Sequence, residues 1–312
     1  MKMKKAISLL CVAAAFAAVS CSPKAEQPAL HTVDIQSWAD LHEYFRYSPD
    51  RDIIISGHRG GMLEGYPENC IASCEKTLSL MPSFFEIDFS FTRDSVMVLM
   101  HDLTLDRTTT GTGRVADYTY EELQQFYLKD RQGNVTPYKI PTLREMLEWG
   151  KGKTVFNFDN KYINTKGVSE ADKQRALEYY SRMIDTDWKD FRNIMLSVRS
   201  LDECRYYYDR HDSIMFCVEI SDMAMYEAYR DSGIPWNRLM AYVKYTMEPE
   251  KQEVYDLVRS HGVMCMTSIT PTADKVEPLE AKFEAYRHEL AVNPDIIETD
   301  YPALFTGLPL KR

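Results

Sequence analysis

Residues 84–102 read FFEIDFSFTRDSVMVLMHD. Two apolar runs, 84–89 and 96–100, read as strands, and the stretch FTRDS at 91–95 separates them. A parallel crossover takes a dozen or more residues, so these two runs must form an antiparallel hairpin. Seven further apolar runs lie at 53–57, 154–158, 194–198, 214–219, 239–243, 263–267 and 295–299. Helical patterns fall near 68–80, 120–127, 142–150, 168–184, 200–210, 222–231, 249–260 and 276–290. Short apolar runs alternating with helix-length segments indicate a parallel sheet covered by helices. The first hairpin strand and the seven others make eight parallel strands. The expected fold is therefore an α/β TIM (β/α)8 barrel, with an extra strand forming a hairpin on barrel strand 2. A doubly wound sheet is the alternative, since one missed strand changes the count. The segment 103–140 reads as a loop insertion on one face of the barrel, the kind of place where a site is built.

The same stretch carries chemistry. Period-two alternation puts Phe84, Glu86 and Asp88 on one face and Phe85, Ile87 and Phe89 on the other. Two carboxylates pointing into a barrel are costly unless a cation neutralises them. Oxygen ligands select a hard divalent ion, Mg²⁺ or Ca²⁺. The alternative is an edge strand with two solvated acids. The returning strand ends in His101 and Asp102, where the acid is placed to orient the imidazole or a neighbour.

Upstream, IIISGHRGG (53–61) delivers His58 and Arg59 at the end of another apolar run. GHRGGM matches neither the dinucleotide fingerprint nor the P-loop. Downstream, TVFNFDNK (154–161) puts Val155, Asn157 and Asp159 on one face, and Lys161 joins them if the strand persists. Asp159 would complete a carboxylate set, and Asn157 could bond a substrate or ligand. A divalent ion, Arg59 and Lys161 suit phosphoryl charge, while two histidines suit proton transfer near neutral pH. With no nucleotide-holding apparatus, phosphodiester cleavage fits better than transfer from ATP.

HRGG (58–61), PENC (67–70), EID (86–88), HDLTLDRTTTGTG (101–113), IPTL (140–143), NFDNK (157–161) and NPDIIETDYP (293–302) together resemble the glycerophosphodiester phosphodiesterase family, over residues 52–305. The resemblance implies a phosphatidylinositol-phospholipase-C-like TIM barrel that uses one divalent cation to hydrolyse small glycerophosphodiesters to glycerol 3-phosphate and an alcohol. It implies His58 and His101 as the acid/base pair, Arg59 and Lys161 as phosphate ligands, and Glu86, Asp88 and Asp159 as metal ligands. Glu68 is implied near the site; the sequence also reads it as an acid in the first turn of a helix begun by Pro67. The chain departs from the family pattern at Asp159, where Glu is usual, and at Met266 and Val198, where Trp and Phe are usual. Those departures leave the substrate open. Lysophospholipids, phosphoinositides and teichoic-acid fragments are alternatives, as is a barrel that binds a phosphorylated polyol without cleaving it. Glu298 and Asp300 share a face on the closing strand and are not read as metal ligands.

The 312 residues suffice for a large core, and a formal charge of -10 argues against a nucleic-acid surface. Residues 1–20 read as a signal peptide with a basic head, a short apolar stretch and small residues before Cys21. That cut site resembles a bacterial lipoprotein box, which implies lipidation of Cys21 and a membrane anchor in the bacterial cell envelope, facing the periplasm. Residues 21–50 are then tether and short helix, with the tether running to about 35, and 51–312 form the barrel domain. Cys70, Cys74, Cys204, Cys217 and Cys265 have no metal-type spacing and read as buried thiols.

Overall fold

The structure is a computed structural model that describes residues 29–159 and 169–311. Eight parallel strands close on themselves: β1 (Ile54–His58), β2 (Phe84–Phe91), β4 (Phe156–Asp159), β5 (Ile194–Val198), β6 (Met215–Glu219), β7 (Leu239–Tyr242), β8 (Cys265–Ser268) and β9 (Ile296–Thr299). Closure comes from β1, which pairs with β2 on one side and β9 on the other. β3 (Met97–Leu99) lies outside the barrel, antiparallel to β2, with Phe89 opposite Leu99. The hairpin and the barrel are both as the sequence predicts.

Alternation divides the strands into two environments. Phe85, Ile87, Phe89, Phe156 and Phe158 face outward into the main core beneath the helices, where Phe158 meets Trp188 edge to face. Inward-facing Phe84, Val155, Met195, Met215, Met240 and Met264 fill the barrel floor. Unbranched methionines fill such an irregular interior well. Further along each strand the inward positions turn polar, as at Glu86 and Asp88 on β2 and Asn157 and Asp159 on β4. An apolar plug thus supports a polar mouth at the strands' C-terminal ends.

The floor is sealed by α1 (Trp38–Tyr44), started by a Ser37–Asp40 capping box, with Leu41 and Phe45 buried against the barrel methionines. Residues 31–35, read from sequence as tether, also belong to this body. His31 N–H bonds Leu78 O at 2.8 Å, Val33 N–H bonds Lys153 O at 2.8 Å, and Ile35 is buried. The leader and Cys21 lie outside the described residues. Among the described residues no helix is long and apolar enough to cross a membrane.

The 103–140 insertion has its own small core of Leu105, Val115, Leu123, Leu128 and Ile140, packed on Val98 and Met100 of the hairpin. Its helix, α3 (Tyr120–Leu123), is shorter than the predicted 120–127. A Thr119–Glu122 capping box starts it, but Leu128 is drawn into a β-bridge with Thr109, and the chain must leave the helix to reach it. All five cysteines among the described residues are buried, and none of them forms a disulfide.

Candidate active site

The turn after β1 explains HRGG. Arg59 (φ 54), Gly60 (φ 89) and Gly61 (φ 87) are consecutive left-handed residues. That conformation is easy only for glycine. There is no spare room either. A Cβ on Gly60 would lie 2.9 Å from Cys74 Sγ, and one on Gly61 2.8 Å from Pro302 Cγ. Arg59 accepts the unfavourable backbone, and its N–H is held 3.3 Å from Glu86 Oε2. The tight reversal leaves His58 and Arg59 at the barrel mouth.

Glu86, Asp88 and Asp159 are buried, and each offers an oxygen within 4.8 Å of the others. β2 and β4 pair with Glu86 beside Asn157 and Asp88 beside Asp159, so the register itself assembles the cluster. Three buried carboxylates at this spacing repel one another, and a hard oxygen set of this kind fits Mg²⁺ or Ca²⁺. Neighbours hold the ligands in place. Asn69 donates through Nδ2 to Asp88 Oδ2 at 2.9 Å and accepts from the Asp88 N–H at 3.0 Å. Arg199 Nη2 donates to Asp159 Oδ1 at 3.0 Å. Ser197 Oγ donates to Asn157 Oδ1 at 3.2 Å, turning that amide toward the barrel interior.

His58 Nδ1 lies 2.7 Å from Asp300 Oδ1, and its Nε2 lies 3.8 Å from Glu86 Oε2. An ionised Asp300 accepts the Nδ1 proton and leaves Nε2 for the site. Burial alone would lower the imidazole pKa. The hydrogen bond to Asp300 and the charges of Glu86 and Glu298 outweigh it and raise the value to about 9. A cation against Glu86 would oppose that rise. Burial likewise pushes Asp300 up, but His58 and Arg131 win and hold it well below the usual carboxylate range. Arg131, from the insertion, donates to Asp300 Oδ2 at 2.6 Å, and Lys275 Nζ reaches the same oxygen at 3.3 Å.

His101 is tied into the same assembly by a chain of ion pairs. Its Nδ1 lies 2.6 Å from Asp102 Oδ1. Arg107 grips Asp102 with Nε (2.7 Å) and Nη2 (3.0 Å), and grips Glu68 with Nη1 (2.7 Å) and Nη2 (2.8 Å). Glu68 then accepts from Arg59 Nη1 at 2.9 Å, and Arg59 Nε lies 3.4 Å from Asp88. The Arg107 contact, joined by His101, holds Asp102 at a pKa of about 2.

Glu68 does not sit in a first helical turn, as the sequence suggests. Helix α2 (Ile71–Leu78) begins later, because Asn69 is left-handed (φ 52) and its side chain is committed to Asp88. Freed from the helix, Glu68 bridges two arginines.

Two cavities flank His58. One, of about 160 Å³, opens into the barrel beside Glu86, Asn157, Asp159, Tyr242 and Glu298. The other, of about 470 Å³, lies between the insertion and the barrel rim, beside Arg59, Glu68, Arg107, Arg131 and Lys275.

The structure thus brings together His58, Arg59, Glu68, Glu86, Asp88, Asn157 and Asp159, and links His101 to them. Lys161 lies outside the described residues. Sequence reasoning missed Asp300, Arg107, Arg199 and Arg131. Asp300 was within reach: it shares the inward alternation of Glu298, which pairs with Ser56, two residues before His58. The arginines carry no periodic signal.

A sequence model described as the glycerophosphoryl diester phosphodiesterase family matches residues 58–228. A human protein named glycerophosphodiester phosphodiesterase 1 is 44% identical over 136 residues, covering 42% of this chain and 40% of that protein. A glycerophosphodiester phosphodiesterase of Bacillus subtilis is 36% identical over 130 residues, covering 38% of this chain and 41% of its own length. The match therefore spans about two fifths of these curated relatives. A crystal structure described as a glycerophosphoryl diester phosphodiesterase from Parabacteroides distasonis superposes with a TM-score of 0.80 at 42% identity, covering 88% of this chain and 92% of that one.

Proposed function

The chain belongs to the glycerophosphodiester phosphodiesterase family, and from that premise we propose that it hydrolyses small glycerophosphodiesters to glycerol 3-phosphate and the free alcohol. The observation that carries this reading is the convergence of Glu86, Asp88 and Asp159 within 4.8 Å, one of them 3.8 Å from His58. Those three carboxylates would hold the divalent cation. When bound, the cation supplies positive charge against the phosphate and the oxygen attacking it.

The protein's own groups account for the remainder. The Arg59 guanidinium binds and orients the phosphodiester, with Lys161 as a second phosphate ligand. One histidine takes the proton of the glycerol 2-hydroxyl as that oxygen bonds to phosphorus. The other protonates the departing alcohol oxygen as its bond to phosphorus breaks. Water then opens the cyclic phosphate with the two roles exchanged, giving glycerol 3-phosphate. His58, with Nδ1 committed to Asp300, is suited to the first proton transfer. His101, braced by Asp102, is suited to the second. The polar cavity inside the barrel matches glycerol hydroxyls, and the larger rim cavity matches the alcohol.

The leader pattern before Cys21 supports export and a lipid anchor in the bacterial envelope. The experiment is to follow glycerol 3-phosphate release from a panel of glycerophosphodiesters in EDTA, Mg²⁺, Ca²⁺ or Mn²⁺, with His101→Ala alongside. Metal-dependent release that disappears in the variant is expected. Absence of release under every metal would overturn the reading.

A further inference from the structure

The two cavities beside His58 have opposite electrostatic character. Among the described residues, the inner one meets Glu86, Asp159, Glu219 and Glu298 against one arginine, Arg199. It suits a metal ion and neutral hydroxyls, and it would repel a second anion. The rim cavity is lined by Arg59, Arg107, Lys129, Arg131 and Lys275, five cations, in a chain whose formal charge is -10.

The three carboxylates lining the rim cavity are already engaged. Glu68 is shared by Arg59 and Arg107. Asp300 takes His58, Arg131 and Lys275. Asp130 accepts from the N–H groups of Gly65, Gln132 and Asn134 and from the Asn134 amide, so its charge shapes the loop. Two cations remain in excess. Half-buried Lys129 has no carboxylate within ion-pair distance among the described residues. Arg131 and Lys275 share one oxygen of Asp300, and both retain donors beyond that contact.

We infer that the rim cavity is the subsite for the departing alcohol and that it takes an alcohol carrying a phosphate of its own, held by Lys129, Arg131 and Lys275. This rests on the hydrolase reading above and names its substrate class. Size agrees: about 470 Å³ accommodates a phosphorylated polyol, whereas about 160 Å³ accommodates a glycerol unit. Chemistry agrees as well. Arg107, which lines the rim cavity, holds the Asp102 that braces His101, so the donor for the leaving oxygen is organised from this side.

The test compares matched pairs that differ by one phosphate: glycerophosphoinositol with its 4-phosphate, and glycerophosphoglycerol with its phosphate-terminated counterpart. Binding is measured by calorimetry in His101→Ala, which blocks turnover, and again with Lys129→Met or Lys275→Met added. Steady-state turnover is measured in the unsubstituted protein. The phosphorylated member is expected to bind about tenfold tighter or more, as for a charge-assisted contact. Most of that advantage is expected to vanish in Lys129→Met. An advantage in both pairs marks the phosphate as the recognised group; an advantage in one identifies its source as a lipid head group or a polyglycerol phosphate. Equal affinities, or an advantage untouched by either lysine substitution, would overturn the subsite. If affinities differ but neither pair is turned over, the hydrolase reading fails and the subsite stands.

Discussion

Asp300 Oδ1 lies 2.7 Å from His58 Nδ1, so the residue just past the last barrel strand holds the imidazole that the first strand delivers. The contact spans 242 positions of sequence. It requires barrel closure through the β1–β9 pairing. It is also the largest single influence raising the His58 pKa against burial, ahead of the charges of Glu86 and Glu298.

Replacing Asp300 with Asn keeps the shape and removes the charge. The His58 pKa then falls from its raised position, and the acid limb of the pH–rate profile moves to lower pH. Turnover drops by about 10²–10³, the scale of a misdirected general base. Turnover measured across pH for wild type and D300N checks this. An unmoved acid limb would mean that His58 does not titrate in the reaction.

Loading the carboxylate cluster relieves the repulsion among Glu86, Asp88 and Asp159, so Mg²⁺ or Ca²⁺ raises the melting temperature. At a hundred times Kd the gain is about 2.7 kcal/mol. Asp88→Asn should abolish the cation-dependent shift. Asp159→Glu should retain it. Melting curves in EDTA and in each metal decide the matter, and an equal shift in D88N would place the ion elsewhere.

Arg107 bonds Asp102 and Glu68 at once, using its guanidinium as a two-sided clamp. A lysine cannot reproduce paired contacts to both carboxylates. Arg107→Lys is expected to lower kcat by about tenfold or more, while the metal-induced melting shift stays intact. A loss confined to thermal stability, with kcat preserved, would make the clamp merely structural.

Glu203 shows the cost of a buried acid. Burial raises its pKa from 4.5 to about 7, against the opposing hydrogen bond from the Arg199 N–H. The folded state therefore keeps a proton that the unfolded chain releases, and stability falls as pH rises through about 4.5 to 7. Glu203→Gln removes that penalty. The variant should match wild type below about pH 4 and exceed it by roughly 3 kcal/mol above pH 7. Denaturant unfolding at both pH values is the check, and a gain independent of pH would exclude ionisation as the cause.

The legible part of the site was the part written in short-range pattern. Period-two alternation puts Glu86 and Asp88 on one face of β2 and Asn157 and Asp159 on one face of β4, and the β2–β4 register joins the two pairs. Glu68 lies ahead of the helix that its local sequence suggests. Pro67 followed by an acid looks like a helix start, but the bond from Asn69 to Asp88 outweighs that local preference. Asp300 shares the alternation of Glu298 on the closing strand, which identifies neither acid as a metal ligand, and its partner His58 becomes visible only where that strand meets β1.

By itself the sequence determined the strands, the hairpin, the inward acids and the glycine turn behind His58 and Arg59. Each follows from side-chain alternation, loop length or backbone sterics acting over a few residues. Only the tertiary structure decided that Asp300 would hold His58, that Arg107 would join Asp102 to Glu68, and that Arg131 and Lys275 would meet across the rim. Those pairings depend on barrel closure and on the path of the 103–140 insertion. Coulomb attraction and hydrogen bonding select partners by proximity in space, and no local periodicity encodes that distance.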